Sequence, residues 1–251
     1  MIAEERWARI VELVDAHGVQ TVTQLMEELD TSESTIRRDL IHLGKQGRLR
    51  KVHGGAARIS ASSYVVADES MRGRKSLNMD KKRAIGAYAA TLIEPGDFVF
   101  IDGGTTTECL VDAITQTNAA YLTNSLPHAQ KLLAKGCHTL LPGGEVKSLT
   151  EVLVGSVTAD LIRRYHFTIG FWGTNGADIV NGFTTPEFNE AAVKRIGIEN
   201  TARPYVLCDS SKFQSISLIT FAEFDSATVI TDSVNDPALR AAGNVIEVNE
   251  R

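Results

Sequence analysis

The sequence predicts an α/β protein in two parts: an N-terminal winged helix-turn-helix and a C-terminal domain on a mostly parallel sheet. Three observations carry this. Residues 1–58 hold three short amphipathic helical patterns and then a basic strand tipped by glycines. From residue 98 onward, short apolar runs alternate with helical patterns. Between them lies a stretch without sustained periodicity, serine-rich in its first half and basic in its second. The length of 251 residues suits a division, because single cores stop growing near roughly 250–300 residues. The boundaries read as 1–57 for the first domain, 58–78 for a linker and 79–251 for the second domain.

In the first part, Trp7, Ile10, Leu13 and Val14 recur at helical spacing, and Gly18 follows as a stop. Val22, Leu25, Met26 and Leu29 form a second amphipathic set. Asp30-Thr31-Ser32 is a cluster of capping residues with Ser32 as the expected N-cap, and a third helix runs from there to a stop at Gly47. Ile36, Leu40 and Leu43 share one face of that helix and read as its buried stripe. Ser34, Arg38, Ile41 and Lys45 lie opposite, flanked by Thr35 and Arg37. Hydroxyls and guanidinium groups on an outward helix face suit phosphates and guanine edges in a major groove. Arg48 to Val52 then alternates basic and apolar residues, and His53-Gly54-Gly55 supplies a tight turn, the pattern of a wing. Arg50, Lys51, His53 and Gly54 are the candidate wing contacts.

Charge agrees with that assignment. The whole chain carries a net charge of −5, yet residues 32–58 hold seven basic and two acidic residues. Residues 1–31 hold two basic and seven acidic, so the positive charge is a local footprint in an acidic protein. Composition excludes wholesale disorder, with 43% hydrophobic and 23% charged residues. No apolar run approaches the ~18–20 residues of a membrane helix, and the start MIAEERWARI lacks the apolar core of a secretory signal. The expectation is a cytoplasmic protein without a membrane partner. Cys109, Cys137 and Cys208 are odd in number and scattered, which excludes a disulfide scaffold and argues against zinc. Buried free thiols are expected, with no metal and no cofactor.

STIRRDL followed by KVHGGA resembles the N-terminal signature of the DeoR family of bacterial transcriptional regulators, and the likeness spans residues 5–57. The resemblance implies binding to double-stranded operator DNA. Asp39 lies off the buried stripe and reads as a structural hydrogen-bond partner rather than a DNA contact.

The second part opens at Asp80-Lys81-Lys82-Arg83 with a helix bearing Ile85, Ala89, Leu92 and Ile93. Strand-like runs follow at 98–102, 120–124, 138–142, 167–173, 205–209, 227–232 and 245–248, with helical segments at 105–115, 125–135, 156–165 and 187–201. Such alternation predicts a parallel sheet with helices on both faces and a ligand outside the carboxyl ends of the strands. The residues at those ends are small and polar: 102–107, 123–125, 142–145, 173–176 and 209–212. Glycines admit a close backbone, helix N-termini favour an anion, and Lys147 or Lys212 supplies counter-charge. This suits a small polyhydroxylated anion, most simply a sugar phosphate.

These loops are also similar to the sensor domain of the DeoR family, over roughly residues 75–248, whose fold resembles ribose-5-phosphate isomerase, glucosamine-6-phosphate deaminase and CoA transferases. The resemblance implies a phosphate cradle at Gly104, Thr105 and Thr106, with Asn124, Ser125, Gly143 and Gly144 beside it. It implies that Lys212 faces the ligand and that Asp102 and Glu187 meet sugar hydroxyls. Asn175 and Gly176 complete the candidate effector set with Lys147. The stretch 170–195, with GTNG, FTTP and EAAVK, looks most like the fructose-operon repressors, whose effector is fructose 1-phosphate. Lactose-type repressors, which sense tagatose 6-phosphate, share a similar stretch. Gly103 departs from the family, where a bulkier residue is also common.

The leading expectation is a repressor of a sugar-utilisation operon, not an enzyme, released by a sugar phosphate and acting as a homodimer or homotetramer. The alternative is a sugar-phosphate isomerase or deaminase with a fused DNA-binding head, using Asp102, Glu145, Glu187, Glu190 or Asp209 with Lys212. No paired catalytic constellation stands out to favour it. An RNA-binding or architectural role is disfavoured, because no aromatic stacking platform lies near the basic segment.

Overall fold

A computed structural model describes residues 3–17, 19–46, 48–52, 55–57, 63–65, 77–213 and 215–248. The chain divides into two units, Met1–Ser63 and Tyr64–Arg251. The first holds α1 (Ala3–His17), β1 (Val19–Thr21), α2 (Val22–Leu29), α3 (Glu33–Lys45), β2 (Arg50–Val52) and β3 (Gly55–Ala57). The apolar stripe of α3 is buried as its spacing requires: Ile36, Leu40 and Leu43 close on Ile10 and Val14 of α1 and Leu25 of α2. Thr21 caps α2 in a reciprocal box, accepting from Gln24 N at 3.2 Å while its own N–H donates to Gln24 Oε1 at 2.8 Å. Ser32 is the N-cap of α3, but its hydroxyl bonds to those of Ser34 and Thr35 instead of a helix N–H.

The sequence pattern predicts one strand here; the structure has three, in the antiparallel order β1-β3-β2. β1 and β3 escape the sequence pattern because three residues show no alternation. Gly55 serves that pairing: a Cβ there would lie 2.2 Å from the carbonyl oxygen of Gln20. The stops expected at Gly18 and Gly47, and His53 and Gly54 of the expected turn, lie outside the described residues. So does most of the expected linker, which includes the short strand β4 (Ser63–Val65) and reaches Asn78.

The second unit begins with α4 (Met79–Ala90) and β5 (Phe98–Ile101), then α5 (Thr105–Ala113), β6 (Ala120–Thr123), α6 (Leu126–Ala134) and β7 (His138–Leu140). The hairpin β8 (Glu145–Lys147) and β9 (Val152–Val154) follows, then α7 (Ser156–Ile162) and β10 (Phe167–Gly173). Next come β11 (Gly176–Asp178), β12 (Gly182–Thr185), α8 (Phe188–Glu199) and β13 (Thr201–Leu207). The chain closes with β14 (Ser215–Ser217), β15 (Ile219–Ala222), β16 (Thr228–Thr231), α9 (Pro237–Ala241) and β17 (Val245–Glu247).

Seven strands form an all-parallel sheet in the order β17-β16-β13-β10-β5-β6-β7. Alternation along each strand divides the core in two. Val99, Ile101, Ile169 and Phe171 pack against α4, α5 and α6 on one face. Phe100, Val206 and Val229 face α7, α8 and α9 on the other, where Trp172 stacks on Phe100 at 5.2 Å. A small antiparallel sheet, β11-β12-β15, joins that second face through Phe183 and Phe221. No described helix is long and apolar enough to cross a membrane. All three cysteines are buried free thiols, and burial pushes each thiol's pKa up. Among the described residues no group of three His, Cys, Asp or Glu side chains is placed to hold a metal.

Candidate functional site

Two surfaces matter, one in each unit. On α3, Ser34, Arg37 and Arg38 are exposed and Thr35 is half-buried. Arg37 is held by Glu33 one turn earlier, at 2.7 Å. Arg38 makes no hydrogen bond or ion pair among the described residues. Behind this face, Asp39 accepts from Arg6 Nε at 2.6 Å and from Trp7 Nε1 at 2.7 Å, fixing α3 to α1 as expected of a structural partner. The side chains of Lys45, Arg50 and Lys51, like His53 and Gly54, lie outside the described residues.

In the body, strand order reverses at β5, with β6 and β7 on one side and β10 onward on the other. Ligands of open parallel sheets bind at such a switch point, outside the carboxyl ends of the strands. A cleft of about 80 Å³ lies there. Asp102 follows β5 directly and accepts from Gly173 N at the end of β10, at 3.2 Å. Lys194 of α8 bonds to Asp102 and donates to Gly173 O at 2.9 Å. With side chains 6% and 3% exposed, Lys194 and Asp102 are an ion pair sealed into the floor. Burial pushes the Asp102 carboxyl up, and Lys194 opposes that shift.

The loop after Asp102 forms one side of the cleft. Gly104 precedes α5 and lines the cleft with Gly103, Thr105 and Thr106. The first-turn N–H groups of an α-helix have no partner within the helix. Gly103 N donates to Asn124 Oδ1 at 3.0 Å, and Leu153 N of β9 donates to the Asn124 carbonyl at 2.7 Å. Asn124 thereby ties the loop to the hairpin β8–β9. Thr150 and Val152 of that hairpin line the cleft. Glu190 holds the hairpin from the α8 side, accepting from Lys147 Nζ at 2.9 Å and Thr150 Oγ1 at 3.2 Å. On the opposite wall, Asp209 accepts from Asn78 Nδ2 at 3.0 Å and from Ser211 N at 3.1 Å. Lys82 lines the cleft, 4% exposed, and so does Lys212. The lining carboxylates of Asp102, Glu190 and Asp209 all have donors, whereas the half-buried Lys212 ammonium has no hydrogen bond or ion pair among the described residues.

The structure brings Asp102, Gly104, Thr105, Thr106, Asn124, Asn175 and Lys212 of the candidate effector set to this cleft. It places the others off the wall, each for a local reason. Ser125 is buried and caps α6 through His128 N. The Gly143 carbonyl accepts from Thr158 Oγ1, and Gly144, at φ 144°, sits where a Cβ would meet that hydroxyl. Gly176 pairs in β11, where a Cβ would lie 2.1 Å from the Ser215 carbonyl. Glu187 caps α8, accepting from Asn189 N and Glu190 N. Lys147 is engaged by Glu190.

Sequence reasoning passed over Lys194, Lys82, Asn78 and Thr150 as ligand-side residues. A signal existed for the two lysines. Lys194 falls in phase with the buried Ala191 and Ile198, and Lys82 with Ile85 and Ala89, so each interrupts an apolar helix stripe. Burial of an ammonium in such a stripe calls for a partner or a ligand.

The fold defines a two-part class: a winged helix-turn-helix and a parallel α/β body covered on both faces. Residues 6–62 match the DeoR-like helix-turn-helix domain and residues 77–233 match the DeoR C-terminal sensor domain. The chain is 37% identical to an uncharacterized HTH-type transcriptional regulator, FruR, of Bacillus subtilis, over 94% of this chain and 93% of that one. It is 33% identical to the lactose phosphotransferase system repressor of Streptococcus mutans over 99% of both chains. It is 34% identical to the HTH-type transcriptional regulator GlpR of Haloferax volcanii, over 94% of this chain and 92% of that one. The chain belongs to the DeoR family of transcriptional regulators, and its relatives are named as regulators rather than enzymes. Among solved structures it is similar to ribose 5-phosphate isomerase A of Methanocaldococcus jannaschii, at 14% identity and a TM-score of 0.39 over 54% of this chain and 55% of that one. It is likewise similar to eIF2B delta of Chaetomium thermophilum, at 18% identity and a TM-score of 0.40 over 61% and 59%.

Proposed function

We propose that this chain represses a sugar-utilisation operon and leaves its operator when a phosphorylated sugar fills the cleft of the body. The observation that carries the ligand class is the Lys212 ammonium. It has no counter-charge among the described residues and lines a cleft with Gly104, Thr105 and Thr106, where α5 begins. A phosphate supplies that counter-charge and accepts from first-turn N–H groups. Asp102, Glu190 and Asn175 line the same cleft and suit sugar hydroxyls. In the head, Ser34, Thr35, Arg37 and Arg38 form the DNA-facing surface, with Lys45, Arg50, Lys51, His53 and Gly54 as further contacts. Two heads on paired half-sites call for a homodimer or homotetramer.

Fructose 1-phosphate is the preferred effector. The stretch 170–195, on which the likeness to fructose-operon repressors rests, contributes Gly173, Thr174, Asn175, Glu190 and Lys194 to the cleft. The test is fluorescence anisotropy on DNA from the protein's own upstream region, with excess random DNA, titrated with fructose 1-phosphate and separately with fructose 6-phosphate. Release by the first alone supports both parts of the proposal. No release of a specifically bound complex by either removes this effector. The Lys212→Ala variant should need at least tenfold more fructose 1-phosphate for release; an unchanged midpoint takes Lys212 out of the site.

A further inference from the structure

The first turn of α4 is built unusually. Asn78 occupies its N-cap position, yet its backbone is left-handed, at φ 53° and ψ 36°, and its side chain makes no capping bond. An asparagine N-cap ordinarily has extended backbone and turns its amide oxygen onto its own helix. Here the amide turns away and donates to Asp209 Oδ1 at 3.0 Å and to Ser211 Oγ at 3.5 Å. Lys81 reaches the same loop, donating to Ser210 Oγ at 3.0 Å, and pairs with Asp232 at 2.8 Å. The loop 209–211 leads directly into Lys212. The start of α4 is thus fastened to the ligand loop through two side chains instead of being capped by its own residue. In sequence, the segment that leads back to the head runs into this turn from β4, which pairs with β14 of the body.

We propose that the first turn of α4 relays occupancy of the cleft to the head: the loop 209–212 moves with the ligand and, through Asn78 and Lys81, shifts the segment that leads back to the head. The inference rests on the sugar-phosphate reading of the cleft. Such a relay requires two discrete arrangements of the turn. In one, the observed one, Asn78 serves the ligand loop. In the other, Asn78 has extended backbone and caps α4. A ligand that shifts the loop 209–212 favours one of them and so changes DNA affinity by its differential binding to the two.

The test uses the full chain and the Lys81→Met variant, since Lys81 does not line the cleft. Calorimetry measures fructose 1-phosphate binding, and anisotropy measures operator binding with and without saturating fructose 1-phosphate. Lys81→Met should keep both separate affinities within about threefold while the ratio of operator affinities without and with ligand falls at least fivefold. Lys81→Arg should restore that ratio. Asn78→Gly, which keeps the left-handed backbone but deletes the amide, should lower the same ratio by a second route. A wild-type ratio in both Lys81→Met and Asn78→Gly overturns the relay and leaves the repressor reading standing. A ratio of one in the wild type, with fructose 1-phosphate and fructose 6-phosphate alike, overturns the relay and the fructose 1-phosphate effector together.

Discussion

Arg37 and Arg38 are neighbours on α3 with different surroundings. Arg37 shares its guanidinium with Glu33 across an exposed turn, a pairing worth about 0–1 kcal/mol that any phosphate can displace. Arg38 has no partner among the described residues and is the better candidate for a base edge. Arg38→Ala should cost about 1–3 kcal/mol on operator DNA and much less on random DNA, read by anisotropy at fixed salt. Equal losses on both would make it a phosphate contact. Single residues were legible in the sequence where chemistry and spacing coincide. Asp39 was recognisable as structural because it leaves the outward face, and Asp102 because it ends a strand at a glycine loop. Lys194 was not, because its partner lies 92 positions away and only the sheet's crossover unites them. Glu187, which the resemblance implied as a sugar contact, accepts from two backbone N–H groups at the start of α8.

The elements divide along similar lines. All seven strands of the parallel sheet announce themselves as short, largely apolar runs, the central ones because they are covered on both faces. The hairpin β8–β9 and the small antiparallel sheet do not, since strands of three or four residues are too short to show a period. Yet the hairpin makes one wall of the cleft, and Gly103 is what lets it close. A Cβ at Gly103 would lie 2.2 Å from Val152 Cγ1 of β9. Gly103→Ala should therefore destabilise the fold by about 1–3 kcal/mol in urea unfolding. Val152→Ala should relieve part of that loss in the double variant; strict additivity would show that the two do not meet. Helix α6 carries a pH dependence of its own. His128 is fully buried, and neither ring nitrogen makes a hydrogen bond of ordinary geometry. Burial holds its pKa down to about 4 against an ordinary 6.5, with Glu108 opposing the shift. The unfolded chain then binds a proton in a range where the native state does not. Stability is full above pH 6.5 and declines as pH falls toward 4, by up to about 3 kcal/mol. His128→Leu should flatten the dependence of the unfolding midpoint across that window; an unchanged slope would assign it to other groups.

At the scale of the whole molecule, a basic head segment is joined to a body whose ligand cleft is lined by Lys82, Lys194 and Lys212. The overall charge of −5 disfavours indiscriminate DNA binding and leaves affinity to the head, so operator binding should weaken steeply with salt. The division into two parts was legible because helical and alternating patterns occupy separate stretches of the chain. The tie between Asn78 and Asp209 was not legible, since the two meet only in the folded body. The central claim is thermodynamic coupling between the cleft and the operator, and coupling must be reciprocal. The most direct measurement is calorimetry of fructose 1-phosphate binding to the free protein and to the protein saturated with operator DNA. The account predicts that operator weakens ligand binding by the same factor, about 5–150-fold, by which ligand weakens operator binding. Equal ligand affinity in the two titrations, with DNA still bound, would contradict it.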